Sequence, residues 1–232
     1  MVDLLWDGLY KADPVDIVFV VDGSGSVSSA DFMNELNLLK SVSAAMDLGE
    51  SSTRIALVQY DHRFNIEFDF LDDSTQVFSS FENINQLRGG TKTGAAITFA
   101  YENIILKSAR PGVQVKMVVV TDGQSFDDVQ VISDEMRERD IEMIAVGFGS
   151  YNLNELQQIA NDPDEEYLFT GSSAEDLKDL LEDVTKIVCK TDGASTRSKG
   201  NFTPINNEVL DFIKNSYVEQ PEIVDQNEER LQ

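Results

Sequence analysis

Three short runs, "DIVFVVD" (16–22), "KMVVVTD" (116–122) and "EMIAVGF" (142–148), are apolar and largely β-branched with almost no interruption. A strand without polar alternation is buried on both faces, which is the condition of a parallel sheet between two helix layers. Between these runs lie amphipathic stretches: "SSADFMNELNLLKSVSAAMD", "GGTKTGAAITFAYENIILKSA" and "DDVQVISDEMRERD", the last read with acids in its first turn. In the first of them Ser28 or Ser29 is the expected N-cap, and Phe32, Leu36, Leu39 and Val42 recur at helical spacing. "TRIALVQYD" and "RFNIEFDF" read as a hairpin turning near His62, and "STQVFSSFENINQL" as a short helix. "NLNELQQIAND", "EYLFTG" and "SSAEDLKDLLEDVTKIVCK" add a helix, a strand and a closing helix. The expectation is an α/β fold: a doubly wound, mostly parallel central sheet with one antiparallel edge strand and helices on both faces.

Such sheets bind ligands beyond the carboxyl ends of their strands, where the winding reverses. The loops after Val21 and Val120 fall there, and both are rich in oxygen. The first carries Asp22, Ser24 and Ser26, and the second carries Asp122, with Asp127 and Asp128 beyond it. A third, after Gly89 and Gly90, carries Thr91 and Thr93. Glycines let these backbones converge, and hydroxyls ligate a hard cation without adding charge. Two carboxylates, three hydroxyls and water suit magnesium, manganese or calcium, and an open position would admit a partner's acidic group.

Composition narrows the partners. Asp and Glu number 42 against 18 Lys and Arg, a formal charge of −24. That field repels nucleic acid and anionic membrane surfaces and concentrates divalent cations. A single histidine excludes a polyhistidine metal site, and a single cysteine, Cys189, excludes an internal disulfide. A phosphate-cradling loop is disfavoured because no lysine follows "GSGS" and two acids lie close. A serine nucleophile would need His62, which is expected about two strands away in the edge hairpin. An aspartyl nucleophile would want a second aspartate where Ser24 stands. Met46, Met117, Met143 and Phe148 read as core. The acidic stretches "DPDEE" and "FDFLDD" read as solvated loops, since neither carries the glycine and terminal glutamate of an EF-hand.

The three loops together resemble the metal-ion-dependent adhesion site of the von Willebrand factor type A family, which includes integrin inserted domains. "DIVFVVDGSGSV" is similar to its Asp-x-Ser-x-Ser loop, "GGTKTGAAI" to its threonine loop and "VVVTDG" to its aspartate loop, in the same order. The resemblance covers residues 14–190 and implies Asp22, Ser24, Ser26, Thr91 and Asp122 as metal ligands, some through water, with Thr93 packed behind them. The phrases "TRIALVQYDHRFNIEFDF" and "MIAVGFGSYNLNELQQIANDPDEEYLF" resemble matrilin and collagen VI domains in particular. That likeness implies a secreted, non-enzymatic module binding an extracellular matrix partner such as collagen. In many such domains a cysteine before the first strand pairs with one like Cys189. Here "DLLWDGLYKADP" has none, so the pair is lost, or lies outside this chain, or Cys189 links to another molecule. A structural assembly role through a metal-independent face or the tail is the alternative, and a metal-assisted hydrolase the remote one.

The expected organisation is a lead-in over 1–13, one domain over 14–190, and a polar tail over 191–232 with a short helix near 207–218. The lead-in carries acids rather than the basic start of a signal peptide. "NFT" at Asn201 fits a glycosylation acceptor, meaningful only for a secreted chain.

Overall fold

The computed structural model describes residues 13–171 and 176–190. Six strands form one sheet: β1 (Val15–Asp22), β2 (Thr53–Tyr60), β3 (Phe64–Leu71), β4 (Gln114–Thr121), β5 (Ile141–Phe148) and β6 (Leu168–Gly171). Their order is β3-β2-β1-β4-β5-β6, with β3 antiparallel to β2 and every other neighbouring pair parallel. The winding therefore reverses between β1 and β4. The carboxyl ends of both strands, with those of β2, β5 and β6, lie along one edge.

The helices are α1 (Ser29–Ala44), α2 (Ser74–Phe81), α3 (Thr93–Ala100), α4 (Leu106–Ser108), α5 (Gln130–Glu138), α6 (Leu153–Ile159), α7 (Asp164–Tyr167) and α8 (Asp176–Cys189). Ser28 caps α1: its hydroxyl accepts from the Asp31 N–H at 3.1 Å and donates to the Asp31 carboxylate at 2.7 Å. A π-turn over Tyr101–Ile105 joins α3 to α4, so the expected single helix has one wide turn. The expected helix over 127–140 begins only at Gln130. Of its two leading acids, Asp128 accepts from the Val131 N–H at 3.0 Å, whereas Asp127 serves a different helix, described below. Tyr167 ends the one-turn α7 rather than beginning the last strand.

Alternation along β1 divides the interior into two layers. Ile17, Phe19 and Val21 meet Phe32, Leu36 and Leu39 of α1 and Val184 and Val188 of α8 on one face. Val18 and Val20 meet Ile97, Tyr101, Ile132, Met136 and Leu156 on the other. Met117, Met143 and Phe148 are buried as expected, while Met46 is only partly so. The tail helix near 207–218, the acceptor at Asn201 and the lead-in over 1–12 lie outside the described residues.

The edge opposite the reversal is fixed by paired charge. Asp16, fully buried, accepts from Arg54 Nε at 2.9 Å and Nη2 at 2.7 Å. It also accepts from the Arg110 backbone N–H at 2.8 Å and Nε at 3.0 Å. Lys116, also fully buried, pairs with Glu142 at 2.8 Å and donates to the carbonyls of Ile187 and Lys190, which moors the C-terminal end of α8. Cys189, in that last turn, is exposed and forms no disulfide within the described residues.

Removing one member of a buried ion cluster strands the others. Asp16→Ala is expected to lower unfolding stability by about 3 kcal/mol in denaturant melts. A loss below about 1 kcal/mol would show that the cluster does not hold this edge.

Candidate metal centre

β1 ends on Asp22, whose side chain is fully buried. One of its oxygens accepts from the Ser24 N–H at 2.8 Å and the other from the Thr121 hydroxyl at 3.0 Å. The Ser24 and Ser26 hydroxyls lie 2.9 Å apart, Ser24 buried and Ser26 exposed. Asp122, one residue past β4, is 6 % exposed, and its Oδ1 has no hydrogen-bond partner. Thr91 and Thr93 are buried at the head of α3, where the Thr93 hydroxyl is 3.0 Å from the Tyr60 hydroxyl. Thr93 is thus tied into the protein behind the site, as the resemblance implies.

The loops are sewn together through their backbones. Gly25 N–H donates to Gly89 O at 2.7 Å and Arg88 N–H to Gly23 O at 2.6 Å, joining the first loop to the glycine loop. Phe126 N–H donates to Thr91 O at 3.0 Å, and Asn152 N–H to Asp122 O at 2.9 Å. Gly23 lets the loop pack against Gln59, since a Cβ there would fall 2.2 Å from Gln59 Oε1 and force that side chain to move. That oxygen accepts from the Leu87 N–H at 2.8 Å, while Gln86 Nε2 donates to Ser24 O at 3.0 Å and Val27 O at 2.8 Å. Asp127 is not a further ligand. Its oxygens accept from the Gly94 and Ala95 N–H groups at 3.0 and 2.8 Å, and from the Ser125 hydroxyl at 2.5 Å. An acid from the aspartate loop therefore caps the helix that carries the threonines.

Sequence reasoning missed Gln59, Gln86, Thr121, Glu35 and Glu155. Glu155, on α6, is 7 % exposed; one oxygen accepts from the Ser125 N–H at 3.0 Å and the other is unpartnered. Nothing short-range marks these positions, because what makes them notable is burial beside the loops.

Burial pushes the Asp22 carboxyl up to about 6, with the Asp122 charge adding to it. Burial likewise raises Asp122, and it pushes Glu155 to about 7 with help from Asp122, Asp127 and Asp22. No cation is among the groups acting on any of the three. Burial and like charge therefore disfavour ionising these acids together without a cation beside them.

This chemistry fits a hard divalent cation. Among the described residues no three His, Cys, Asp or Glu side chains gather closely enough to hold a metal by themselves. A seat here would therefore use two carboxylates and draw its remaining donors from Ser24, Ser26, Thr91 and water. Among the described residues no histidine is hydrogen-bonded to Ser24 or Ser26. His62 does lie at this edge, nearer than the sequence suggests, with its ring against Gly89. Its acidic neighbour is Asp61, 3.5 Å away.

The chain matches the model of the von Willebrand factor type A domain over residues 16–183. It is 33 % identical over 187 residues to the mouse (Mus musculus) collagen alpha-4(VI) chain, covering 78 % of this chain and 8 % of that one. Human (Homo sapiens) cochlin is 32 % identical over 178 residues, covering 76 % of this chain and 32 % of that protein. The chain thus spans a third or less of these relatives. Proximal thread matrix protein 1 of the mussel byssus superposes with a TM-score of 0.68 at 26 % identity, covering 77 % of this chain and 46 % of that one. Another structure of that protein has a zinc-occupied MIDAS motif, the adhesion site named above. With this sheet order and the three loops at its reversal edge, the chain belongs to the von Willebrand factor type A domain family.

Proposed function

We propose that this chain is an adhesion module of the extracellular matrix, without catalytic activity, which binds a protein partner through a divalent cation. Asp22, Ser24, Ser26, Thr91 and Asp122 would hold the cation, some through water, and a partner's Asp or Glu would complete its coordination. The observation that carries this reading is Asp122 Oδ1, buried and unpartnered beside buried Asp22 at the reversal edge. Magnesium, manganese and calcium all suit such oxygen donors. Zinc in the related byssus protein supports a metal in this place but does not select the ion. The collagen chain among the relatives and the matrix protein among the solved structures support a matrix partner such as a collagen. No helix among the described residues is long and apolar enough to cross a membrane.

The cation would turn a weak contact between carboxylates into an ion contact shielded from water, since a partner acid facing Asp22 and Asp122 without it would be repelled. Asp22→Asn, which keeps the side-chain volume, is expected to weaken magnesium or manganese uptake at least roughly a hundredfold in calorimetry while the fold persists. Partner capture should vanish in chelator. Equal capture in chelator and in magnesium would overturn the metal bridge and favour assembly through another face.

Asp22 and Glu155 have folded values above their ordinary 3.8 and 4.5, so between the two values the folded chain binds more protons than the unfolded one. Stability in chelator should therefore fall as pH rises from about 4 to about 7, level off above that, and recover as pH is lowered. The melting temperature should rise from about pH 7.5 to about pH 5.5 in chelator, and saturating magnesium should flatten or reverse the trend. A chelated melting temperature that drops over that range would contradict this electrostatic account.

A further inference from the structure

We propose that Glu35 is a positioning residue of the metal centre, an inner acid that raises its affinity for a divalent cation from behind the ligands. The inference rests on the metal-bridge reading. Glu35 lies on the buried face of α1 between Phe32 and Leu36, where the helix period calls for an apolar side chain. It is 1 % exposed, and neither carboxyl oxygen has a hydrogen-bond partner.

Its charged neighbours are Asp22, Asp122 and Asp31, all acids. Two of them are candidate ligands, and Asp31 is held in the Ser28 cap. As a structural element Glu35 is therefore unfavourable twice over. A buried carboxyl without a partner loses its hydration, and three acids of the same sign surround it. A leucine would serve α1 better. Burial, then those three acids, push its carboxyl well above the ordinary range.

A cation beside Asp22 and Asp122 reverses the sign of that environment. Such a cation favours ionisation of Glu35, whose proton leaves to solvent, and the carboxylate that results adds negative charge to a water-poor interior, where charge is weakly screened. Because it is unpartnered, no arginine or lysine dilutes its field. It need not touch the ion, since Asp22, Asp122 and the hydroxyls supply the contacts. The arrangement trades stability of the metal-free protein for affinity.

The experiment compares Glu35→Leu and Glu35→Gln with the wild-type chain by magnesium and manganese calorimetry and by thermal melts in chelator. Glu138→Gln, which removes one exposed charge from the C-terminal turn of α5, is the control. Glu35→Leu should melt higher than wild type in chelator yet bind magnesium at least about tenfold more weakly. Glu35→Gln, nearly the same shape without the charge, should show a similar loss of affinity, and Glu138→Gln less than about a twofold change. Opposite movements of stability and affinity distinguish this role from a structural one, which would lower both. Wild-type affinity in both Glu35 variants overturns the inference alone, as does wild-type affinity in Glu35→Gln with loss only in Glu35→Leu. A lower melting temperature for Glu35→Leu in chelator would also overturn it, by showing that the acid supports the metal-free fold. Absence of saturable uptake by the wild type overturns the metal-bridge reading with it.

Discussion

The constraint on which the structure turns is like charge held out of water at one edge of the sheet. Asp22, Asp122, Glu155 and Glu35 converge where β1 and β4 part, and each carboxyl is raised chiefly by burial. The reversal of winding makes this possible. At that point the crossover connections leave in opposite directions, so the loops leaving two adjacent strands lie side by side without a helix stacked over them. A crevice there is open to a ligand while its walls remain in the core.

Holding such groups together requires a frame that does not relax. The backbone bonds between Gly25 and Gly89, Arg88 and Gly23, Phe126 and Thr91, and Asn152 and Asp122 join four loops into one rim. Arg88 itself adopts a left-handed backbone with φ of 67°, a conformation uncommon outside glycine, within the segment bonded to Gly23. Asp127 adds to this frame by capping α3, so that the threonine loop and the aspartate loop move together. Donors fixed in this way would need little reorganisation to hold the proposed cation.

Much of this was legible in the residues. Near-continuous apolar runs at 16–22, 116–122 and 142–148 specify a parallel sheet, and "DGSGS", "GGTKTG" and "TDG" stand at the ends of the elements where oxygen donors converge. The departures share a physical origin, since each depends on tertiary neighbours rather than on local pattern. Asp127 looks like an acid of the helix that follows it, yet its partners are the N–H groups of Gly94 and Ala95. Glu35 looks like an ordinary helix glutamate, and only packing against the sheet reveals it as buried. His62 seemed remote because β3 is an edge strand. The hairpin turn nevertheless falls at the carboxyl end of β2, and so beside the glycine loop. The π-turn at Tyr101–Ile105 has no explanation in the residues around it.

The two ends of the sheet obey opposite rules, and that contrast explains how the reversal edge is tolerated. At the far end, charge is satisfied: Asp16 meets two arginines, and Lys116 meets Glu142 and the end of α8. At the near end Asp61 meets Arg63, but among the described residues Asp122, Glu35 and Glu155 all keep unpartnered oxygens. A protein stable by only several kcal/mol cannot carry strained polar groups everywhere. It can concentrate them where a ligand will relieve them, provided that the two core layers and the opposite edge hold the sheet together meanwhile. Satisfied charge at one end thus leaves the sheet able to tolerate unpartnered acids at the other, where the proposed cation would relieve them.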